Sequence, residues 1–335
     1  HSGAHPLIHK ALEQANHGYW HGYGEEEYTE KVQQKVAALF GKDAICLFLM
    51  TGTGANVLAL QSLTKSYEAI FCADTAHVNM HEAGAVQKFT QSRLIVVKTE
   101  NGKLTPELIA PNLSLMADQH MSQPRIISIA QATEYGTVYS LEEIKELADY
   151  AHRGRMLLHI DGARLANAAV SLNCSLQEMT SDCHVDIVSL GATKNGCLFG
   201  EALIFINQSS AAKDAVYYRK QLTQLISKMR YLTLQMETYI ADDLWKQNAL
   251  HANSMAQLLA EKLSAFPQIT LTQPVQANSV FAIMPSEIIP ALQEKYHFYL
   301  WNEHRFEVRL MCSWNTTQEM ISQFISDVEK QLATV

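Results

Sequence analysis

The sequence lacks long apolar runs and an excess of positive charge. None of its apolar runs approaches the roughly 20 residues that a membrane-spanning helix needs, and the residues from His1 to Pro6 lack the basic-then-apolar pattern of a secretory signal. The formal net charge at pH 7 is −8, which disfavours binding to nucleic acid or to an anionic membrane. We therefore expect a soluble globular protein whose partner is a small molecule, with neither nucleic acid nor a membrane as a partner.

Paired cysteines are also missing. Six cysteines are scattered over 335 residues, and none belongs to a C-x-x-C pair. Cys46, Cys72 and Cys312 lie inside apolar segments, where a free cysteine behaves as a small hydrophobic residue. This usage is typical of a reducing compartment, so we expect a cytoplasmic protein.

Apolar runs instead alternate with helical patterns through the first two thirds of the chain. Strand-like runs occur at 45–50, 69–73, 94–97, 126–130, 156–160, 187–189 and 202–206. Helical patterns occur at 29–39, 55–63 and 141–152, and the last of these opens with Ser140 and Glu143 in the spacing of a capping box. The alternation predicts an α/β fold with a mostly parallel sheet covered on both faces.

The character of the sequence changes after about residue 210. A long, broken helical stretch runs from 211 to 266, and short strand-like runs follow at 280–284, 298–301 and 308–312. A final helix is predicted to begin at a second capping box formed by Thr316 and Glu319. We expect an N-terminal arm (1–24), a large domain (25–235) and a smaller C-terminal α+β domain (236–335).

An acid and an amine follow two of the apolar runs. Asp161 comes directly after 156–160 and is separated from Arg164 by two small residues, whereas Lys194 lies in a short loop after 187–189. Pyridoxal phosphate needs such a pair, because the amine forms a Schiff base with the cofactor aldehyde and the acid keeps the pyridine nitrogen protonated. The alternatives are a solvated surface lysine and a structural Asp–Arg ion pair.

A glycine turn precedes one of the helical patterns. Gly52 and Thr53 follow the strand-like run 45–50 and open the helix 55–63. The N-terminus of a helix offers free backbone N–H groups and the positive end of a dipole, which suits a phosphate. An ordinary strand-to-helix turn is the alternative.

His77 follows the run 69–73. Its imidazole could stack on a pyridine ring or move a proton near pH 7. His77 and His81 also have an i, i+4 spacing beside Glu82, which is compatible with zinc. They lack the H-E-x-x-H arrangement and an evident third ligand, so we expect no metal site. A loop histidine bound to a backbone carbonyl is the remaining alternative.

Arg309 lies inside the apolar run 308–312. A charge in such a place is costly unless it has a partner. A planar guanidinium there could bind the carboxylate of an amino acid. The alternative is an edge-strand residue whose side chain reaches water.

The order of these features resembles that of the threonine aldolases in the β-eliminating lyase group, which belong to the aspartate-aminotransferase-like (fold type I) pyridoxal-phosphate enzymes. The similarity spans nearly the whole chain. Strings that carry it include Gly3–Pro6, Tyr23–Glu26, Thr51–Asn56, Asp161–Leu165, Thr193–Gly196 and Val308–Leu310.

The resemblance implies pyridoxal 5'-phosphate as the cofactor. Lys194 would then form the Schiff base and Asp161 would pair with the pyridine nitrogen. His77 would stack on the ring and act as a base at the substrate hydroxyl. Gly52 and Thr53 would hold the phosphate.

The resemblance also implies a substrate clamp and an assembly. Arg164, beside the cofactor, and Arg309 would bind the substrate carboxylate. The family usually forms homotetramers of two catalytic dimers, with Tyr23 or Arg230 as candidates for reaching a neighbour's site. Many relatives have a second active-site histidine where this sequence has Glu134.

The implied activity is cleavage of a β-hydroxy-α-amino acid, such as L-threonine or L-allo-threonine, to glycine and an aldehyde. Two alternatives stay open: a β-eliminating lyase that acts on another amino acid, and a cofactor-binding homologue without turnover. The same residue types would serve all three, because the choice depends on which substrate bond is aligned with the ring system of the cofactor.

Overall fold

A seven-stranded sheet forms the centre of the larger part of this computed structural model, which describes residues 2–115 and 117–334. Its strands are β1 (Ile45–Leu49), β2 (Glu68–Ala73), β3 (Arg93–Val97), β4 (Gln123–Ala130), β5 (Leu157–Gly162), β6 (Ile187–Gly191) and β7 (Glu201–Phe205). The strand order is β1-β7-β6-β5-β4-β2-β3. Strand β7 is antiparallel to both of its neighbours, β1 and β6, and the other neighbouring pairs of this sheet are parallel. The predicted α/β class with a mostly parallel sheet is confirmed.

Helices connect and cover these strands. They are α1 (Pro6–Ala15), α2 (Glu27–Ala38), α3 (Gly52–Leu63), α4 (His77–Met80), α5 (Ala85–Thr90), α6 (Pro106–Ile109), α7 (Leu141–Arg153), α8 (Leu165–Leu172), α9 (Leu176–Met179), α10 (Ser209–Gln221), α11 (Arg230–Ile240), α12 (Leu244–Leu263), α13 (Ile288–Gln293) and α14 (Gln318–Leu332). The capping box predicted at the start of α7 is present, with the Glu143 N–H donating to Ser140 Oγ at 3.2 Å. No helix within the described ranges has both the length and the apolar character that crossing a bilayer requires.

A second, antiparallel sheet lies in the C-terminal part. It contains β8 (Thr270–Leu271), β9 (Ser279–Ile283), β10 (Tyr299–Asn302) and β11 (Glu307–Met311), in the order β10-β11-β9-β8. The predicted start of the final helix was wrong by one residue. Thr317, rather than Thr316, is the N-cap of α14, and its hydroxyl accepts the N–H of Met320. Glu319 therefore does not close the predicted capping box.

Two large hydrophobic cores divide most of the buried apolar residues between them. The first surrounds the large sheet and includes Leu244 and Trp245 at the start of α12. The second packs under the small sheet and includes Met255 and Leu259 from the same helix. Helix α12 thus takes part in both cores, and the domain limit at 235/236 stays a prediction.

The parallel strands determine where polar residues collect. Every residue of β6 is buried, as expected for a strand with both faces covered. Strands β2, β4, β5 and β6 run in the same direction, so their carboxyl ends lie along one edge of the sheet. Ligands of open α/β sheets bind at this edge. The segments that begin after these ends contain His77, Glu134, Arg164 and Lys194.

Candidate active site

Asp161 lies near the carboxyl end of β5, where two hydrogen bonds orient its carboxylate. Its Oδ1 accepts the backbone N–H of Ala163 at 3.0 Å. Its Oδ2 accepts a side-chain N–H from Asn56 of α3 at 2.8 Å. Asn56 is one helical turn after Thr53, so the first turn of α3 and the Asp161 carboxylate are near neighbours.

Asn56 also joins Asp161 to His77. The Asn56 amide donates a second hydrogen bond, at 2.9 Å, to Oε1 of the buried Glu82. The same oxygen lies 2.8 Å from Nδ1 of His77. Because a carboxylate can only accept, Nδ1 carries the proton and Nε2 is left for other interactions. This series of hydrogen-bonded side chains, Asp161–Asn56–Glu82–His77, was not predicted from the sequence.

Within the described ranges, the structure places no third metal ligand beside His77 and His81. The rings of His77 and His81 lie 5.8 Å apart between centroids, and Glu82 binds His77 by the hydrogen bond just described. Across residues 2–115 and 117–334, no three His, Cys, Asp or Glu side chains form a group that could hold a metal ion.

The glycine turn before α3 forms a capped helix N-terminus. The Thr51 hydroxyl accepts the N–H of Gly54 at 3.1 Å, and α3 begins at Gly52. A Cβ atom at Gly52 would meet no atom within 4 Å, whereas one at Gly54 would lie 2.4 Å from the Gln224 side chain. Open space therefore lies at Gly52, beside N–H groups that have no partner inside the helix.

Lys194 lies on a rigid turn after β6. The turn is a single 3-10 turn over Thr193–Asn195. Asn195 is buried, and its side-chain amide donates to Tyr239 Oη at 2.9 Å and to the carbonyl of Trp245 at 2.8 Å. Lys194 itself is exposed. A fixed backbone thus presents a free amine at the edge of the sheet.

The charges around Lys194 favour its neutral form. The positive charge of Arg164 is the largest cause that lowers the pKa of Lys194, and desolvation lowers it further. Asp161 and Glu201 oppose this shift. A lowered pKa increases the fraction of nucleophilic amine at pH 7.

Arg309 and Arg164 have buried N–H groups without partners. Within the described part of the chain, Nε and Nη2 of Arg309 and Nε of Arg164 donate no hydrogen bond. The guanidinium of Arg309 lies 5.1 Å from the ring centroid of Trp301 and 5.6 Å from that of Phe281. Burial, followed by the charge of Arg164, lowers the pKa of Arg309 to about 9, so it stays cationic at pH 7. Two such groups suit a carboxylate.

Two buried carboxyl groups complete the site. Burial, followed by the charge of Asp161, raises the pKa of Glu134 to about 7. Burial also raises the pKa of Glu201 to about 7, while the nearby Thr193 hydroxyl and the charge of Lys194 oppose the rise. Perturbed carboxyl groups of this kind are typical of functional sites.

The two residues expected to reach a neighbouring subunit have contacts within their own chain. The Lys220 amine lies 4.8 Å from the ring centroid of Tyr23. Arg230 donates from Nη1 to the carbonyl of Gly18 at 3.1 Å. Their expected contribution to a neighbour's site stays a prediction.

The chain is similar to known proteins of one family. A family model described as beta-eliminating lyase matches residues 2–286. The chain is 38% identical over 329 residues to the low specificity L-threonine aldolase of Pseudomonas sp. (strain NCIMB 10558), with 98% of this chain and 94% of that protein covered. The corresponding protein of Pseudomonas aeruginosa has the same identity and coverage.

A solved structure gives the same result for the fold. The threonine aldolase of Leishmania major superposes with a TM-score of 0.92 at 28% identity, covering 98% of this chain and 96% of that one. The predicted aspartate-aminotransferase-like, fold type I architecture is confirmed. With the sequence, the family model and the fold in agreement, the chain belongs to the beta-eliminating lyase family.

Proposed function

We propose that this chain is a pyridoxal-phosphate-dependent aldehyde-lyase that cleaves a β-hydroxy-α-amino acid, such as L-threonine or L-allo-threonine, to glycine and an aldehyde. The observation that carries the proposal is the set of groups at one sheet edge. An oriented acid, an amine with a lowered pKa and Arg164 are found there, and Arg309 of β11 faces Arg164. Both guanidinium groups have N–H atoms without a partner among residues 2–115 and 117–334. The low-specificity L-threonine aldolases to which the chain is similar support the choice of substrate.

The residues present fit the cofactor. The free N–H groups at Gly52 and Thr53 would hold its phosphate, and the open space at Gly52 leaves room for it. Asp161 would pair with the pyridine nitrogen, and His77 would stack on the ring. Lys194 would be the point of covalent attachment. When bound, pyridoxal phosphate supplies the acceptor for the electron pair that bond cleavage leaves on the substrate.

The protein's own residues would bind and orient the amino acid. Arg164 and Arg309 would hold the carboxylate with the N–H groups that have no partner within the described chain. Fixing the carboxylate limits rotation about Cα, which decides the bond that is cleaved. The Asp161–Asn56–Glu82–His77 chain would keep the acid and the imidazole in fixed positions.

We further propose a cytoplasmic homotetramer made of two catalytic dimers. All six cysteines are free, which suits a reducing compartment. Tyr19 and Tyr217 have exposed fractions of 107% and 71%, and aromatic side chains of this kind are enriched in interfaces between subunits. Light scattering after size-exclusion chromatography would measure the assembly.

The proposed reaction is tested by incubating the cofactor-loaded protein with L-threonine and L-allo-threonine and measuring glycine and acetaldehyde. Both products should appear in equal amounts. L-serine and L-cysteine serve as parallel substrates, because β-elimination from them gives pyruvate and ammonia. If pyruvate forms from L-serine or L-cysteine and no acetaldehyde forms from threonine, the protein is instead a β-eliminating lyase of another amino acid. Cofactor binding without any product would replace it by a binding protein.

Arg309→Lys is expected to raise the KM for threonine. Lysine keeps the positive charge but cannot form the paired hydrogen bonds of a guanidinium. A hydrogen bond to a charged group contributes about 1.5–3 kcal/mol, so KM should rise by about 10-fold to 150-fold. Arg305→Lys is the matched control, because Arg305 is exposed in the same part of the chain. A KM for R309K within about twofold of the control would contradict the clamp.

A further inference from the structure

Glu134 has a buried carboxylate oxygen whose role is not explained by the fold. The side chain is only 9% exposed. Its Oε1 accepts the backbone N–H of His77 at 2.9 Å. Its Oε2 is buried and has no hydrogen-bond partner among residues 2–115 and 117–334. Because an unpaired buried carboxyl oxygen is costly, such an atom indicates a missing ligand group.

The groups around Glu134 are those of the proposed site. The charge of Asp161 raises the pKa of Glu134 and that of Arg309 lowers it, whereas Glu134 raises the pKa of Arg164. Both guanidinium groups also have buried N–H atoms without a partner in the described chain. The titratable groups that face Glu134 from the packed elements are Cys72, His77, Tyr139, Asp161, Arg164 and Arg309.

The unpaired atoms require two different ligand groups. The guanidinium N–H groups need an anion, which the carboxylate of an amino acid supplies. In its ionised form, Glu134 Oε2 needs a group that donates a hydrogen bond, and a carboxylate cannot do this. A β-hydroxy-α-amino acid carries both groups on neighbouring carbon atoms, whereas glycine carries only the carboxylate.

We propose that Glu134 binds the β-hydroxyl of the substrate and accepts its proton during carbon–carbon cleavage, an inference that rests on the function proposed above. The O–H bond breaks and its proton moves to Oε2, while its electron pair becomes the second bond of the aldehyde C=O. The Cα–Cβ bond breaks and its electron pair remains with Cα. Cα then receives one proton, so the reaction needs no oxidant or reductant.

His77 is another basic group near this position. Its Nδ1 is already bonded to Glu82, and its backbone N–H holds Oε1 of Glu134. His77 therefore fixes the Glu134 carboxyl with Oε2 as the free atom. This arrangement assigns His77 to positioning and to the ring, and Glu134 to the hydroxyl.

The pH dependence follows from the state of Glu134. Burial and the charge of Asp161 raise the pKa of Glu134 to about 7, against the opposing effects of the His77 N–H and Arg309. Only the ionised form can accept a proton, so kcat for threonine cleavage should rise with pH through about 7 and fall below it.

The test compares threonine with glycine in the cofactor-loaded Glu134→Gln variant. Glutamine keeps the size of the side chain and a carbonyl for the His77 N–H, but it cannot accept a proton. Cleavage of L-threonine should fall by about 10²-fold to 10⁴-fold, the range for a general base. Exchange of the glycine Cα hydrogen in D₂O should stay within about threefold of wild type, because glycine has no hydroxyl. The Kd of the apoprotein for pyridoxal phosphate should also stay within about threefold.

Two further variants distinguish a base at Glu134 from a general effect of a buried carboxyl group. Glu134→Asp retains the carboxyl group and should therefore cleave threonine faster than E134Q. Like wild type, it should lose this activity at acidic pH. Glu201→Gln removes the other buried carboxyl with a raised pKa, which lies near Lys194. Because Lys194 serves both reactions, E201Q should change glycine exchange and threonine cleavage together.

Three results would overturn the inference. Cleavage by E134Q at the wild-type rate would exclude Glu134 as the base. A parallel fall of glycine exchange, cofactor affinity and cleavage would reduce Glu134 to a structural role. If wild type exchanges glycine but releases no aldehyde from threonine, the proposed function fails and the inference fails with it. The first two results, obtained while the wild-type protein cleaves threonine normally, would overturn the inference but leave the proposed function standing.

Discussion

Replacing Lys194 with alanine is expected to lower the rate of threonine cleavage by at least about 10³-fold. The turn around Lys194 is fixed by the buried Asn195, so the backbone of Lys194 has a defined place at the sheet edge. The neighbouring Arg164 lowers the pKa of Lys194, which makes the amine a nucleophile near neutral pH. Alanine removes both the covalent attachment and a proton carrier. The variant should lose the visible absorbance of the bound cofactor along with aldehyde release.

Lys145→Ala provides the matched control. Lys145 is exposed on α7 and lies outside the proposed site, so K145A should keep the wild-type absorbance and rate. Retention of both properties by Lys194→Ala would place the catalytic amine elsewhere.

Replacing Asp161 with asparagine is expected to lower kcat by about 10³-fold, the upper range for loss of one preorganised electrostatic group. Asparagine still offers an oxygen to the N–H of Ala163 or to Asn56, so the local fold should survive. A neutral amide cannot keep the pyridine nitrogen of the cofactor protonated, and the cofactor then accepts electrons poorly. Because Lys194 is unchanged, the cofactor should still attach.

The measurement is kcat for threonine together with the absorbance of the bound cofactor. Asp43→Asn, at an exposed position, is the control for a change in net charge alone. A kcat for D161N within about threefold of wild type would show that Asp161 does not support the electron acceptor.

The large sheet could be predicted because its strands are buried on both faces. Continuous apolar runs of β1, β2, β5 and β6 placed the strands within a few residues of their observed limits. Strand β8 was missed because it has two residues, and neither is buried. The cap of α14 was misplaced because Thr316 and Thr317 are adjacent, and only the backbone geometry selects Thr317.

The charged site residues could be predicted because they follow strand ends. Asp161 and Lys194 are conspicuous against the apolar runs before them. Asn56 could not be found in this way, because a single asparagine on a buried helix face gives no chemical signal. Its partners Glu82 and Asp161 are 26 and 105 residues away in the chain, and only the parallel sheet brings them together.

The state of Glu134 was equally hidden. The sequence placed it where many relatives have histidine, but it could not give the burial or the partners of each carboxyl oxygen. The bond from the His77 N–H crosses 57 residues and leaves Oε2 unpaired among the described residues. The clash that keeps Gly54 free of a side chain likewise depends on Gln224, a distant residue.

The central claim is that the Lys194 amine and the Asp161 carboxylate act on one pyridoxal-phosphate ring. The most direct measurement is to load the protein with pyridoxal phosphate, reduce it with borohydride, digest it and identify the modified lysine by mass spectrometry. We expect the reduced cofactor on Lys194 in wild type and in D161N. A label on any other lysine, or no label on wild type, would contradict the account.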